Sequence, residues 1–435
     1  MRLRSAVPAS LLAALAVAVA PSVASAAPSH NRGLTINVIP NPILAGESVK
    51  IYGQLNNAPV ASQTIVLYHH LSGSHPGYTK VGQTTTFSNG TYEFSRPEGI
   101  VTTNRSWFVT ETGHPGVHSR TVAEHVAALV SLTASVPATS TGYDTNHAIV
   151  FSGHVTPNHP HQRVYLQEQT SASGDDWSTI ASGRLNRGSN YAIRYRWAHA
   201  GFRDMRVVFA GDQRNVRGES AALTIQIQQT QVTGFTIKSS APIIEAGAWV
   251  TISGTLDQGD TTTPEPSTSV TLWSRADGQP YRAITSTVTR PDGSYRFSPQ
   301  TPINNVVYEV RTTLPANRHS AQLFEGVRDV VSLAASSTSS TVGGHVTFTG
   351  HVNPDKAGHA IELQRRGADG DYHTVARTHV NSSSNYQFGW TFGSTGSRTF
   401  RTEITGGPEN LGNHSAPATI TVSPAPSLSA LPPAS

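Results

Sequence analysis

The 435-residue chain contains no cysteine, and its 31 Lys and Arg against 27 Asp and Glu leave a formal net charge of +4. Without cysteine there is no disulfide framework, so each folded unit must be held by burial alone. A charge this close to balance supplies no basic face or stripe for nucleic acid or an anionic membrane.

At the N-terminus, Arg2 and Arg4 precede an apolar run from Leu11 to Ala20, followed by Ala24-Ser25-Ala26. Basic residues, an apolar core and small residues at the cleavage positions are the pattern of a secretory signal peptide, expected to be cut near Ala26. The run is about half of the roughly 20 residues a membrane-crossing helix needs, and no other stretch reaches that length, so no membrane span is expected. Loss of Arg2 and Arg4 with the leader leaves 29 basic residues against 27 acidic ones, or +2.

The remainder is repetitive. One phrase closes an early strand on glycine four times: Val49-Lys50-Ile51-Tyr52-Gly53, Ile149-Val150-Phe151-Ser152-Gly153, Val250-Thr251-Ile252-Ser253-Gly254 and Val346-Thr347-Phe348-Thr349-Gly350. A second phrase is a turn feeding an aromatic strand: Asn89-Gly90-Thr91-Tyr92, Ser189-Asn190-Tyr191, Asp292-Gly293-Ser294-Tyr295 and Ser384-Asn385-Tyr386. Asn-Gly and Asp-Gly favour positive φ and mark tight turns. They occur in the odd units and Ser-Asn in the even ones, giving an A-B-A-B order. Leu129-Val130-Ser131-Leu132 returning as Val330-Val331-Ser332-Leu333 supports duplication of a two-unit block.

Within units, apolar residues alternate with polar ones, as at Tyr191, Ile193, Tyr195 and Trp197, the spacing of a strand with one buried face. Units of about 100 residues with strands every 8 to 12 residues have the spacing of immunoglobulin-like sandwiches. The expected fold is all-β, four tandem immunoglobulin-like β-sandwiches in a duplicated A-B-A-B rod. The divisions are 1–26 signal peptide, 34–128 A1, 129–229 B1, 233–327 A2, 328–423 B2 and 424–435 a disordered Pro/Ser/Ala tail. With strands of 6 to 10 residues rising about 3.3 Å each, the rod is on the order of 150 Å long. It is expected to be stiff within each pair and hinged at Gln228 to Gly234. Gln258 to Ser267 reads as a surface insertion.

The strand phrase Val-x-Ile-x-Gly and the later Asp-Gly-Ser-Tyr-x-Phe resemble those of secreted bacterial immunoglobulin-like domain repeat proteins, over residues 34 to 423. The resemblance implies adhesion, spacing or carbohydrate contact, and brings no catalytic residues with it.

Candidate chemistry is sparse. His69-His70, His154, His159 and His161 lack the converging pattern of a zinc site, and Asp175-Asp176, Asp257 with Asp260, and Asp369 with Asp371 supply too few oxygens for a calcium cage. His118-Ser119, His319-Ser320 and His414-Ser415 recur, but adjacent strand residues face opposite ways and cannot pair as base and nucleophile. They read as strand starts. Arg365-Arg366 reads as a solvated strand end. Trp197 and Trp390 are expected in cores, Trp177 and Tyr78 on exposed loops. The expectation is therefore no catalytic residues, no metal and no cofactor, with binding residues unassigned. The function expected is a secreted spacer or adhesin for an unknown surface protein or polysaccharide. The alternative is a polysaccharide- or cell-wall-binding protein using exposed aromatics.

Overall fold

The structure is a computed structural model that describes residues 33–73, 77–114, 116–135, 143–171, 173–259, 261–276, 279–313 and 318–425. The leader, 1–26, and all but the first two residues of the tail, 424–435, lie outside the described residues. Among the described residues every regular element is a strand, and no helix is long and apolar enough to cross a membrane.

In the first sandwich one sheet has the order Asn37–Ile39, Val49–Gln54, Thr91–Arg96. Its facing sheet runs Thr79–Thr85, Thr64–Leu71, Arg105–Glu111, Val122–Glu124. Ile43–Leu44 crosses over to pair in parallel with Val126–Ala127. The third sandwich repeats that order, with Ile243–Glu245 parallel to Leu323–Arg328. The second and fourth share a common order in turn, their crossovers being Tyr143–Asp144 and Ser339–Thr341. Two antiparallel sheets packed face to face in this order are immunoglobulin-like.

Alternation fills the space between sheets. Val49–Gln54 and Thr91–Arg96 bury every second side chain, placing Val49, Ile51, Tyr92 and Phe94 in a core with Trp107 and Leu67. Three further cores, around Phe151 and Trp197, Phe235 and Tyr295, and Phe348 and Phe400, complete the described chain.

The repeated glycine and tyrosine turn out to be one device. The hydroxyls of Tyr92, Tyr191, Tyr295 and Tyr386 donate to the carbonyls of Thr35, Ser131, Thr236 and Ser332. Each bond passes over Gly53, Gly153, Gly254 or Gly350. A Cβ on Gly53 would lie 2.6 Å from the Tyr92 Oη and closer still to Thr35 O. A methyl group cannot fit there. At the turn, Gly90 and Gly293 have φ of +82° and +74°, whereas Ser189 and Ser384 hold the same position at +57°. Their hydroxyls justify the strain: Ser189 Oγ bonds Asn158 and accepts from the His159 N–H, and Ser384 Oγ bonds Asp355 and accepts from the Lys356 N–H at 2.9 Å.

Hydrogen bonds cross the short junctions. The Asn104 N–H donates to Arg214 O at 2.6 Å, and its Oδ1 accepts from the Val126 N–H at 2.7 Å. Asn215 returns the contact through Nδ2 to Thr102 O at 2.9 Å and Val126 O at 3.1 Å. The second joint is a copy, with Asn305 bound to Glu409 O and Val327 N–H, and Asn410 to Ile303 O and Val327 O.

The extended rod is not what forms. The fourth sandwich folds back on the first two, through Arg365 to Glu47, Arg398 Nη1 to Glu98 at 3.3 Å, Arg377 to Glu219, and Gln169 Nε2 to Thr405 Oγ1 at 3.0 Å. Nor is 228–234 a free hinge. Gln226 and Gln228 donate to Phe324 O at 2.7 and 3.1 Å, and Gln229 Oε1 accepts from Gln322 N–H. Polar composition suggested a solvated linker; the amides instead serve as clamps between sandwiches.

Candidate functional site

The recurrent Ser residues brace the fold. Ser119, Ser220, Ser320 and Ser415 each accept a backbone N–H at 3.0 Å, from Val109, Val207, Val310 and Thr402, and donate to the carbonyl of the next residue. The preceding His118, His319 and His414 point Nδ1 at the Ser carbonyl, 3.1 Å away, and not at its hydroxyl. The hydroxyl proton and one of the two oxygen lone pairs are thus engaged by the backbone.

The histidine candidates are dispersed. His154 bonds Asn190 Oδ1 at 3.1 Å, matched by His351 and Asn385 in the fourth sandwich. His159 is buried between Asp212, at 3.0 Å, and Asn215, at 3.2 Å, and stacks on Phe209. His161 holds φ of +67° in the same turn. His69 lies against Trp107 and Arg105, and burial with the Arg105 charge lowers its pKa to about 4. No group of three metal-ligating side chains converges among the described residues. Of the acidic pairs, Asp369 binds His373 Nε2 at 2.8 Å and Asp175 lies 3.4 Å from His379, while Asp260 is outside the described residues.

Trp197 packs in the second core and Trp390 against the fourth, as expected. Trp177 does not stand on an open loop: it starts the strand Trp177–Arg184, half-buried, with the Arg206 guanidinium 4.2 Å from its ring centroid. Tyr372 in the fourth sandwich and Arg401, at 4.3 Å, repeat the arrangement. Tyr78 is exposed, 44 % accessible, and joins a cluster on the outer face of the first sandwich. Phe108 stacks on Tyr68 at 4.9 Å, Tyr78 meets Phe108 edge-on at 4.6 Å, and His70 lies 5.5 Å from Tyr78.

Arg365 is not a solvated strand end. It is buried against Glu47, with Arg398 beside it and Glu98 facing both, at 3.8 and 3.3 Å. The charges come from residues more than 250 positions apart, and no local pattern announces them. Buried carboxyls are a second feature invisible to motif reading. Burial raises Glu124 to about 8, Glu325 to about 7 and Asp329 to about 7, the last two in the third and fourth sandwiches. Glu124 faces Arg105 across a strand pair; Glu325, its counterpart, faces Val306. A cleft of about 650 Å³ lies between the second and third sandwiches, with Gly407 and Pro408 of the fourth at its rim, and a smaller one of about 210 Å³ holds Arg217, Arg377 and His373.

No protein-family model matches the sequence, and no curated protein matches it. Solved structures do match. The ICAM-5 D1-D4 ectodomain fragment aligns over 90 % of this chain and 100 % of its own, at 13 % identity and a TM-score of 0.26. Invasin, described as a bacterial integrin-binding protein, aligns over 89 % of this chain and 79 % of its own, at 12 % identity and 0.22. Escherichia coli alpha-2-macroglobulin activated by porcine elastase aligns over 90 % of this chain at 12 % identity and 0.19, and this chain spans 44 % of its length.

Proposed function

We propose that the chain is a secreted, non-catalytic interaction scaffold of the bacterial exterior. Residues 34–128, 129–229, 233–327 and 328–423 are its four sandwiches, two copies of one A-B block, and residues 1–26 are its cleaved leader. The observation that carries this reading is the pair of asparagine joints, Asn104 with Asn215 and Asn305 with Asn410, made of the same bonds twice. Blocks joined this way hold surfaces at fixed spacing, and that is the property a spacer or adhesin uses. The partner is a surface protein or polysaccharide. Fractionation of a host expressing the full chain tests it: the mature protein, starting near Ala27, is expected in the medium or envelope. A cytoplasmic product retaining residues 1–26, or turnover of an ester, peptide or glycoside, overturns it.

One observation favours the polysaccharide reading. Tyr68, Phe108 and Tyr78 offer adjacent rings on an exposed face, the surface on which sugar C–H groups stack. Pull-down on purified polysaccharides is then expected to retain the protein, and Tyr78→Ala to release it. Retention unaffected by Tyr78→Ala removes this site.

A further inference from the structure

The first and third sandwiches carry the same tip, and only one is covered. Gly46 and Gly247 hold it at φ of +85° and +84°, each donating its N–H to the neighbouring loop, at Val101 O and Pro302 O. This register makes Ala248 the counterpart of Glu47 and Trp249 the counterpart of Ser48. In the first sandwich the fourth seals the tip, leaving Glu47 1 % and Ser48 3 % accessible. In the third, Trp249 is 65 % accessible and Ile303, beside Pro302, 59 %. Trp249 is the most exposed large apolar side chain among the described residues.

The seat that seals the first tip also exists twice. In the fourth sandwich it comprises Gly393, Ser394, Arg398 and Arg365: Arg398 donates to Ser48 Oγ at 3.2 Å, and a Cβ on Gly393 would lie 2.7 Å from Ile39 O. Strand register aligns these with Ala198, His199, Arg203 and Glu168 of the second sandwich. Those residues line the 650 Å³ cleft. The second seat is therefore open, with the third sandwich forming its far wall.

Tip and seat have changed character together. A polar tip, Glu47 and Ser48 with Glu98 beside them, meets two guanidiniums, Arg365 and Arg398, whose carboxylate partners come from the first sandwich. On the open seat Glu168 replaces Arg365 and neutralises Arg203 at 3.1 Å, so the seat's own guanidinium is already paired, and Arg275 stands on the far wall. Ala198, Ala200 and Phe202 replace Gly393, Thr395 and Ser397, giving one apolar edge to a cleft whose remaining lining is largely polar. A large exposed aromatic seated on an apolar edge, with polar groups around it, is the usual anchor of an interface.

We propose that the third sandwich's tip is a self-association surface whose partner is a second copy of this chain: Trp249 of one copy seats in the Ala198 to Arg203 cleft of the other, reciprocally, giving a twofold dimer. The occupant follows from the sealed tip and seat within the same chain, which supply the template for the contact.

Sedimentation velocity on the full mature chain, from about 1 to about 100 µM, is the test. Dimer is expected to accumulate with concentration, with a blue shift of tryptophan emission. Trp249→Ala and Ala198→Arg each change an exposed side chain, leave the thermal melt intact, and are expected to abolish the dimer. Mixing the two variants pairs the intact tip of one with the intact seat of the other and is expected to restore a heterodimer. A chain monomeric throughout, a dimer indifferent to either variant, or a mixture that fails to associate overturns the proposal.

Discussion

The first and third sandwiches have the same strand order, the same tyrosine over the same glycine, and the same asparagine joint, yet differ at the tip, beside the buried glutamate and on the outer face. Glu47 and Ser48 become Ala248 and Trp249, Arg105 becomes Val306, and Thr110 becomes Arg311. The shared residues hold a sandwich together and join it to its neighbour; the divergent ones decide what its tip and outer face meet. The sharpest way to break that division is at a shared position. Gly53→Ala and Gly254→Ala should each cost about 3 kcal/mol, because the added methyl collides with a carbonyl and a buried tyrosine hydroxyl that cannot both move. Denaturant unfolding should give similar losses in both. Tolerance of alanine in one alone would mean the brace is not common to the two.

The joint between the first and fourth sandwiches comes next. Arg365→Glu places a carboxylate against buried Glu47, and breaking such a pair costs about 3 to 5 kcal/mol. The cost falls on the contact between sandwiches, not on either core. Small-angle scattering should report a larger radius of gyration, with compaction restored when Glu47→Arg is added. An unchanged radius would show that Gln169, Arg377 and the asparagine joints hold the array closed without this pair.

Glu124 and Glu325 separate the two sandwiches by pH. Burial raises both, to about 8 and about 7, so the folded state keeps its protons where the unfolded chain, near 4.5, has lost them. Stability is therefore full below pH 4.5 and falls as pH rises toward each folded value. Neither Glu325 oxygen meets a donor at bonding geometry, and Ser239, close enough to favour the anion slightly, gives its proton to Ala241 O. Glu325→Gln should recover on the order of 2 kcal/mol at pH 8 and flatten the melt between pH 4.5 and 7. Glu124→Gln should recover less, because it also strands Arg105 without its facing charge. Equal recoveries would show that Arg105 contributes nothing across the pair.

Much of this was legible in the chain. Period-two alternation put Tyr191, Ile193, Tyr195 and Trp197 on one buried face, and the recurring Gly and Tyr marked each sandwich, because these are local, repeated consequences of strand geometry. The array was not legible. Arg365 reads as half of an exposed basic pair until Glu47, 318 residues away, is brought against it, and Gln226 and Gln228 read as linker until Phe324 O accepts their protons. Contacts between sandwiches depend on how rigid bodies dock, and no periodicity records that. Trp177 failed for a related reason: Gly174-Asp175-Asp176 looks like a loop, and the arginine that covers the ring lies two strands later.

The smallest effect probes the outer faces. Arg311 in the third sandwich spans Trp273 and Tyr281, at 4.6 and 5.0 Å. Its counterpart Thr110 leaves Tyr68 and Tyr78, the partners of Trp273 and Tyr281, with no guanidinium over them among the described residues. Thr110→Arg should close that difference. A cation over exposed rings adds about 0.5 to 1 kcal/mol, so the melt of the first sandwich should rise slightly while Tyr78 loses accessibility. If the bare rings are what a polysaccharide touches, the same substitution should weaken retention without unfolding anything. A higher melt with undiminished retention would leave the covered and uncovered faces equivalent in function, and would move the search for a ligand away from the first sandwich.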